Sequence, residues 1–166
     1  MTMMTENFKI VSNFIKDMSS ETPDVSTYIA VRDNISKYQL LIEINSKAIR
    51  DGVVEVNTTL KFVDKPEALK KSHFEVTYAS VVKIDKNVSD KKEMEKIILC
   101  DVPNKIYSDL ERIFLNLLTD SGYPGIKFDR KIDFTELYKQ KSNWNNFSLN
   151  CFLNILCGVW VPCLMV

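Results

Sequence analysis

Polar and apolar residues alternate at period two along four segments in the first half of the chain. This period is typical of half-buried antiparallel strands, because successive side chains of a strand point to opposite faces of the sheet. The predicted apolar faces are Phe8, Ile10, Ser12 and Phe14; Tyr38, Leu40, Ile42 and Ile44; Val54, Val56, Thr58, Leu60 and Phe62; and Phe74, Val76, Tyr78, Ser80, Val82 and Ile84. Asp51-Gly52 predicts a tight turn between the second and third strands. The other face of the sheet is mostly polar and is expected to be wet.

The apolar period changes to that of a helix in the second half of the chain. The lysine-rich stretch 88–99 is expected to hold a short helix. After Asp101-Val102-Pro103, apolar residues recur at i, i+3 and i+4 steps, which predicts an amphipathic helix ended by Gly122 and Pro124. The positions that define this helix are Ile106, Leu110, Ile113, Phe114 and Leu117.

A short strap, 126–132, is predicted to join that helix to a last one. It carries two large apolar side chains, Ile126 and Phe128, and is expected to be exposed. Asp133 stands three residues before Glu136, a capping-box spacing that predicts the start of a helix with Leu137 and Tyr138 on its apolar face. Four strands followed by helices predict an α+β fold, a four-stranded antiparallel sheet with two main C-terminal helices packed on one face.

The last part of the chain differs in composition from the rest. Residues 142–166 contain no charged side chain, which divides the chain into a domain of residues 1–141 and an uncharged apolar tail of residues 142–166. Three interpretations stay open: the tail extends the last helix and packs on the apolar groove of the domain, it anchors to a membrane, or it is an out-of-frame extension of a truncated gene. The abrupt loss of every charge favours the last. Membrane insertion is expected only if the tail acts as an anchor.

Charge and chemistry exclude several classes of function. The 22 basic residues balance the 22 acidic ones, and no basic stripe is present, so nucleic-acid binding is not expected. The one histidine, His73, lies on a polar strand face. The four cysteines lack the spacing of zinc sites, and no phosphate-binding glycine loop occurs, so we expect no enzyme, metal or cofactor. The N-terminus does not read as a secretory signal, which leads us to expect a cytoplasmic protein.

Several short motifs, in order, resemble those of the SecB family of protein-export chaperones over roughly residues 7–141. The first is a strand that runs into Lys16-Asp17, followed by Ser19, Glu21 and Pro23. Four alternating strands follow. The remaining motifs are Pro103-Asn104 at the start of the long helix, Gly122-Tyr123-Pro124 at its end, and Asp133-Phe134 with Leu137-Tyr138 in the last helix.

The resemblance implies a homotetramer, a dimer of dimers, that works without ATP. Such a holdase binds unfolded preproteins in apolar grooves and delivers them to the Sec translocase for export. Carried over by position, the client-binding residues would be Leu40, Ile42, Ile126, Phe128 and Tyr138. Contacts with the translocase motor ATPase SecA would be made by Asp17, Glu21 and Glu75.

Two departures from the family pattern bear on the motor contact. The family is usually acidic, whereas this chain is neutral, and the family's short acidic tail has no counterpart in residues 142–166. The resemblance leaves two rival functions open. One is a SecB-like chaperone dedicated to a single client, such as an antitoxin; the other is a tail-anchored adaptor protein.

Overall fold

A five-stranded antiparallel sheet forms the frame of the protein in the computed structural model, which describes residues 7–63, 72–128, 132–142 and 150–153. Its strands are β1 (Phe8–Glu21), β2 (Gln39–Arg50), β3 (Val53–Val63), β4 (His73–Ile84) and β5 (Asn150–Leu153). Their order in the sheet is β1-β4-β3-β2-β5. The α+β fold and the four predicted strands are confirmed, and β5 is an additional strand that the sequence pattern did not predict.

The helices are α1 (Val25–Asn34), α2 (Lys91–Lys96), α3 (Val102–Asp120) and α4 (Phe134–Ser142). A short 3-10 turn, Ile35–Lys37, follows α1, and a π-helical turn, Ile97–Asp101, joins α2 to α3.

The turn between β2 and β3 has the conformation that its sequence predicts. Asp51 and Gly52 both have positive φ, 48° and 74°, as a type I′ hairpin requires. A Cβ at Gly52 would lie 3.3 Å from the Ile84 carbonyl oxygen, a second reason for glycine there. The turn, together with a register shift between Ala48 and Arg50, gives the register in which Leu40 pairs with Phe62 and Ile42 with Leu60.

Strand β1 forms as predicted, but its predicted apolar face is wrong from Ser12 onward. Phe8 and Ile10 lie opposite Ile84 and Val82, on the face that carries the core. The register then shifts between Ile10 and Ser12, and a residue added to one strand sends the following side chains to the opposite face. Ser12 and Phe14 therefore do not share a face with Phe8.

Helix α3 covers one face of the sheet with the stripe that its periodicity predicts. Ile106, Leu110, Phe114 and Leu118 follow one another at steps of four residues and are all buried. Phe114 meets Phe62 of β3 edge to face, with ring centroids 6.2 Å apart. The core therefore lies between α3 and the sheet, and the opposite sheet face carries the polar side chains.

The start of α4 is fixed by two side chains. Asp133 accepts hydrogen bonds from the backbone N–H groups of Thr135 and Glu136, at 2.8 and 3.4 Å, which confirms the predicted cap. Asn104, in the first turn of α3, accepts a hydrogen bond from the Phe134 N–H at 3.2 Å. The Asn104 contact joins the first turns of the two helices.

The tail prediction is tested only at β5. These four residues are extended and pair with β2, so the interpretation in which the tail continues the last helix is wrong for them. The remainder of the tail beyond Ser142 lies outside the described residues. None of the helices in the described parts of the chain is long and apolar enough to cross a membrane.

Candidate functional site

Four rings, Tyr38, Phe62, Phe114 and Phe128, form an aromatic cluster that connects the sheet, α3 and the strap. Phe128 lies over Phe114 in a nearly parallel arrangement, with centroids 6.2 Å apart and an interplanar angle of 25°. Its ring is also 6.4 Å from that of Phe62, which in turn lies 5.4 Å from Tyr38. Tyr38, Phe62 and Phe114 are buried, whereas Phe128 is half-buried. Phe128 is therefore the member of the cluster that solvent reaches.

The strap is less exposed than its sequence predicts. Both Ile126 and Phe128 are half-buried and pack against the core. Apolar side chains of this size gain about 25 cal/mol for each Å² that they remove from water, so docking on the cluster is favourable. Ile126 and Phe128 thus present a partly covered apolar surface.

Leu40 and Ile42 lie deeper than a surface groove. Their exposed fractions are 0% and 3%. Leu40 pairs in register with Phe62, so it lies on the sheet beside the aromatic cluster. The structure brings Leu40 and Phe128 to the same region of the molecule, with Phe62 between them, but the side chains of Leu40 and Ile42 have almost no access to solvent.

Tyr138 lies on α4 in a different environment. Its side chain is half-buried against the core, and burial raises the pKa of its hydroxyl, with the negative charge of Glu95 as a second cause. Glu95 belongs to α2, so this ring faces the α2 side of the molecule. Among the described ring contacts, none joins Tyr138 to Phe128.

The three predicted motor contacts lie on one face of the sheet. Asp17 pairs with Thr77, Ser19 with Glu75, and Glu21 with His73 in the antiparallel register of β1 and β4. Residues directly opposite in such a pair point to the same face. Asp17, Glu21 and Glu75 therefore share the polar face, opposite the face that α3 covers.

Glu75 differs from the other two carboxylates because a lysine and a histidine side chain lie against it. Its carboxylate lies 3.6 Å from the Lys61 ammonium and 3.3 Å from the His73 ring nitrogen Nε2. Lys61 also pairs with Glu43 at 3.1 Å. Burial alone would lower the pKa of Lys61, but its hydrogen bond to Glu43 and the charge of Glu75 outweigh burial and raise it. Asp17 and Glu21 are exposed.

Sequence reasoning missed the large apolar side chains that both faces of β1 expose. Val11, Phe14, Ile15 and Met18 are large and exposed, with 58% of Val11 and 50% of Met18 open to solvent. We call these four residues the apolar edge patch, because β1 is the outermost of the described strands on its side of the sheet. Ile15 and Met18 lie opposite Tyr78 and Val76, on the face that carries α3, whereas Phe14 lies opposite Ala79 on the other face. The register shifts that expose them, at Ile10/Ser12 and Ile15/Asp17, have no signature in the periodicity.

The described residues hold no group of three or more histidine, cysteine, aspartate or glutamate side chains placed to bind a metal ion. Cys100 is a free, buried thiol, and burial raises its pKa to about 11. Its Sγ lies 3.5 Å from the Phe134 carbonyl oxygen, to which the thiol donates a hydrogen bond. This environment is that of a structural cysteine and not of a reactive one.

Comparison with protein families assigns the chain. The family model described as preprotein translocase subunit SecB matches residues 2–145. The chain belongs to the SecB family of protein-export chaperones.

Curated SecB relatives agree with this assignment. The chain is 77% identical over 140 residues to a SecB protein of Pelagibacter ubique, a match that covers 84% of this chain and 100% of the relative. A SecB of Methylocella silvestris is 25% identical over 128 residues, or 77% of this chain and 78% of the relative. The predicted family and its function as a protein-export chaperone are confirmed.

A solved structure of similar shape is the SecB-like chaperone of Mycobacterium tuberculosis, in complex with a ChAD peptide from an antitoxin. It aligns with a TM-score of 0.49 and 13% identity, over 75% of this chain and 91% of that one.

Two of the SecB motifs have an identifiable structural role in this chain. Gly122 ends α3 with φ +95°, and Tyr123 after it is buried against Phe74, with ring centroids 5.3 Å apart. Asn104 links the two helices as described above. The family model ends at residue 145, so β5 lies outside the matched region.

Proposed function

We propose that this SecB-family chain is a cytoplasmic, ATP-independent holdase that binds unfolded precursor proteins and delivers them to the Sec translocase. The observation that carries the proposal is Phe128, half-buried on the aromatic cluster in a chain of this family. An unfolded client exposes apolar side chains that a folded protein would bury. A surface that is itself partly apolar and held by a rigid frame can remove them from water.

The energy of such binding comes from surface burial and needs no chemical step. Each 100 Å² of apolar client surface removed from water contributes about 2.5 kcal/mol. Ile126 and Phe128 belong to a strap between two helices, so they can shift without unfolding α3 or the sheet. Tyr138 would add a second contact on the α2 side. Contacts of this kind discriminate weakly among sequences, as a holdase requires.

The client site is tested by the double variant Phe128→Asp with Tyr138→Asp. We expect loss of client holding, because both changes place a carboxylate where client apolar surface would lie. Binding is measured with a permanently unfolded, fluorescently labelled protein in the absence of ATP. Ile49→Asp is the matched control, since Ile49 is an exposed apolar residue near the β2–β3 turn, far along β2 from Leu40.

Circular dichroism and thermal unfolding must show that the double variant keeps its fold. A second variant, Phe128→Leu with Tyr138→Leu, keeps apolar surface at both positions and should retain binding. Unchanged affinity in the folded aspartate variant would refute the assignment of Phe128 and Tyr138.

We also propose that the chain assembles as a homotetramer, a dimer of dimers. The apolar edge patch supports assembly, because an exposed edge strand with large apolar side chains promotes pairing with another chain. The occupant that fits is a second copy, whose own β1 offers the same outer edge, with which no described strand pairs, and the same four side chains.

Binding to the motor ATPase SecA is proposed for Asp17, Glu21 and Glu75. The position of all three carboxylates on one sheet face supports a common acidic contact. Asp17→Lys with Glu21→Lys should slow association with purified SecA, an effect that weakens as salt rises. Glu75→Gln should change it less, since Lys61 already offsets this charge. Equal losses from both variants would contradict the predicted order.

A further inference from the structure

The edge of β2 next to the proposed client site is already occupied by a strand from this chain. β5 pairs antiparallel with β2, with Leu153 opposite Leu40, Cys151 opposite Ile42, and Asn150 opposite Glu43. It covers the N-terminal part of β2, where the proposed client residues Leu40 and Ile42 lie, and within the described residues no other strand pairs with the rest of β2 on that side.

Strand β5 resembles a segment of an unfolded client protein. It is a short extended segment within residues 142–166, which contain no charged side chain. Pairing along a sheet edge uses backbone N–H and C=O groups, so it accepts segments of many sequences. A client segment that extended along β2 at Leu40–Glu43 would need the same backbone groups, and the two cannot bind there together.

We propose that residues 150–153 act as an internal competitor, which must leave the edge of β2 before an extended apolar segment of an unfolded protein can bind there. The inference rests on the proposed holdase function. The family match ends before β5, so this device belongs to the present chain and not to the shared SecB domain.

Tethering makes a weak strand an effective competitor. Residues 143–149 connect α4 to β5, and a segment on a short tether competes at an effective concentration on the order of millimolar. A four-residue strand is marginal by itself, so it can still be displaced. If β5 occupies the edge about 90% of the time, client affinity is about tenfold weaker than at the open edge.

The first test weakens β5 in the full chain. Phe152→Pro removes a backbone N–H and restricts φ in the middle of the strand, which opposes pairing with Leu41. Val159→Pro is the matched control, a proline in the same tail beyond β5. The probe is fluorescently labelled, reduced and carboxymethylated lactalbumin, which stays unfolded. We expect Phe152→Pro to bind it about 3- to 10-fold more tightly than the unchanged chain, and Val159→Pro to bind it equally.

The second test holds β5 in place reversibly. Glu43 and Asn150 lie opposite each other, and cross-strand Cα separations of about 4.5–5.5 Å suit a disulfide. Glu43→Cys with Asn150→Cys is made in a chain that has serine at Cys151, Cys157 and Cys163. Oxidised glutathione should form the bond, mass spectrometry of the digested protein should identify it, and probe binding should be lost until dithiothreitol is added.

The outcomes separate this inference from the function on which it rests. Equal probe affinity in the oxidised, reduced and Phe152→Pro proteins would leave the holdase function in place and overturn the internal competitor. Failure of the disulfide to form would also overturn it, because β5 would then not lie on β2. If none of the folded proteins holds the probe, the proposed function fails, and the inference fails with it.

Discussion

Gly122 shows how a single residue fixes the relation between two helices. Its φ of +95° turns the chain sharply after α3, a conformation that side chains other than glycine disfavour. Its carbonyl oxygen accepts a hydrogen bond from the Tyr28 hydroxyl at 3.1 Å, which ties α1 to the end of α3. A Cβ at this position would lie 3.1 Å from Tyr28 Cε2.

Gly122→Ala should lower the free energy of unfolding by about 1–3 kcal/mol, because alanine adds backbone strain and displaces Tyr28. Gly125→Ala is the control. Gly125 also has a positive φ, +84°, but a Cβ there would meet nothing within 4 Å. Urea unfolding monitored by circular dichroism measures both. An equal loss in the two variants would show that the Tyr28 contact adds nothing.

Cys100 should be unreactive in the folded chain. With a pKa of about 11, caused mainly by burial, only about one thiol in a thousand is ionised at pH 8. Iodoacetamide labelling of the peptide that contains Cys100 should be at least about tenfold slower in buffer than in urea. Mass spectrometry of the digested protein gives both rates. Similar rates would contradict the buried position of the thiol.

The stability of the protein should depend on pH through Glu55, and the hydrogen-bond partners of Glu55 determine the direction of this dependence. A hydrogen bond from Lys16, then one from Asn57, lowers the pKa of Glu55 below its ordinary value of 4.5. A lowered folded-state pKa stabilises the protein above pH 4.5, and this contribution is lost as pH falls through the folded-state value. Glu55→Gln should therefore cost about 0.5 kcal/mol at pH 7 and nothing in stronger acid. Urea midpoints from pH 3 to 7 check this; a constant difference would contradict it.

At the scale of elements, the sequence pattern predicts what is regular and misses what is locally exceptional. The four predicted strands, α3 and the start of α4 are confirmed, because each has a clear apolar period or a cap, although the predicted apolar face of β1 holds only for Phe8 and Ile10. Helix α1 was missed, since its buried residues are Thr27 and Val31 while the larger Val25 and Ile29 are exposed. β5 was missed because four uncharged residues carry no period.

The periodicity of the sequence predicts strand β1 but does not predict which of its side chains are exposed. Its two register shifts place large apolar side chains on the outer edge, where they form the apolar edge patch. Phe14→Lys with Met18→Lys should reduce the assembly from a tetramer to a smaller species, because charges on an edge strand oppose pairing between copies. Multi-angle light scattering gives the mass, and Ile49→Lys is the control. An unchanged tetramer would exclude this edge from the interface.

At the scale of the whole molecule, the candidate client residues separate into three environments. Leu40 and Ile42 belong to the core, Ile126 and Phe128 are half-buried residues of the strap, and Tyr138 lies near α2. The sequence predicts the helix or strand on which each of these residues lies, but it does not predict which residues of other elements pack against it. The contact of Phe128 with Phe62 and Phe114 joins residues distant in sequence, and only the folded structure gives it.

The most direct test of the holdase account is suppression of aggregation by the full chain. A denatured client is diluted into buffer without ATP, with and without the purified protein, and its aggregation is followed by light scattering. The account predicts that a folded tetramer suppresses aggregation at near-stoichiometric amounts, and more strongly when Phe152→Pro frees the edge of β2. A well-folded protein that suppresses nothing, with or without that change, would contradict it.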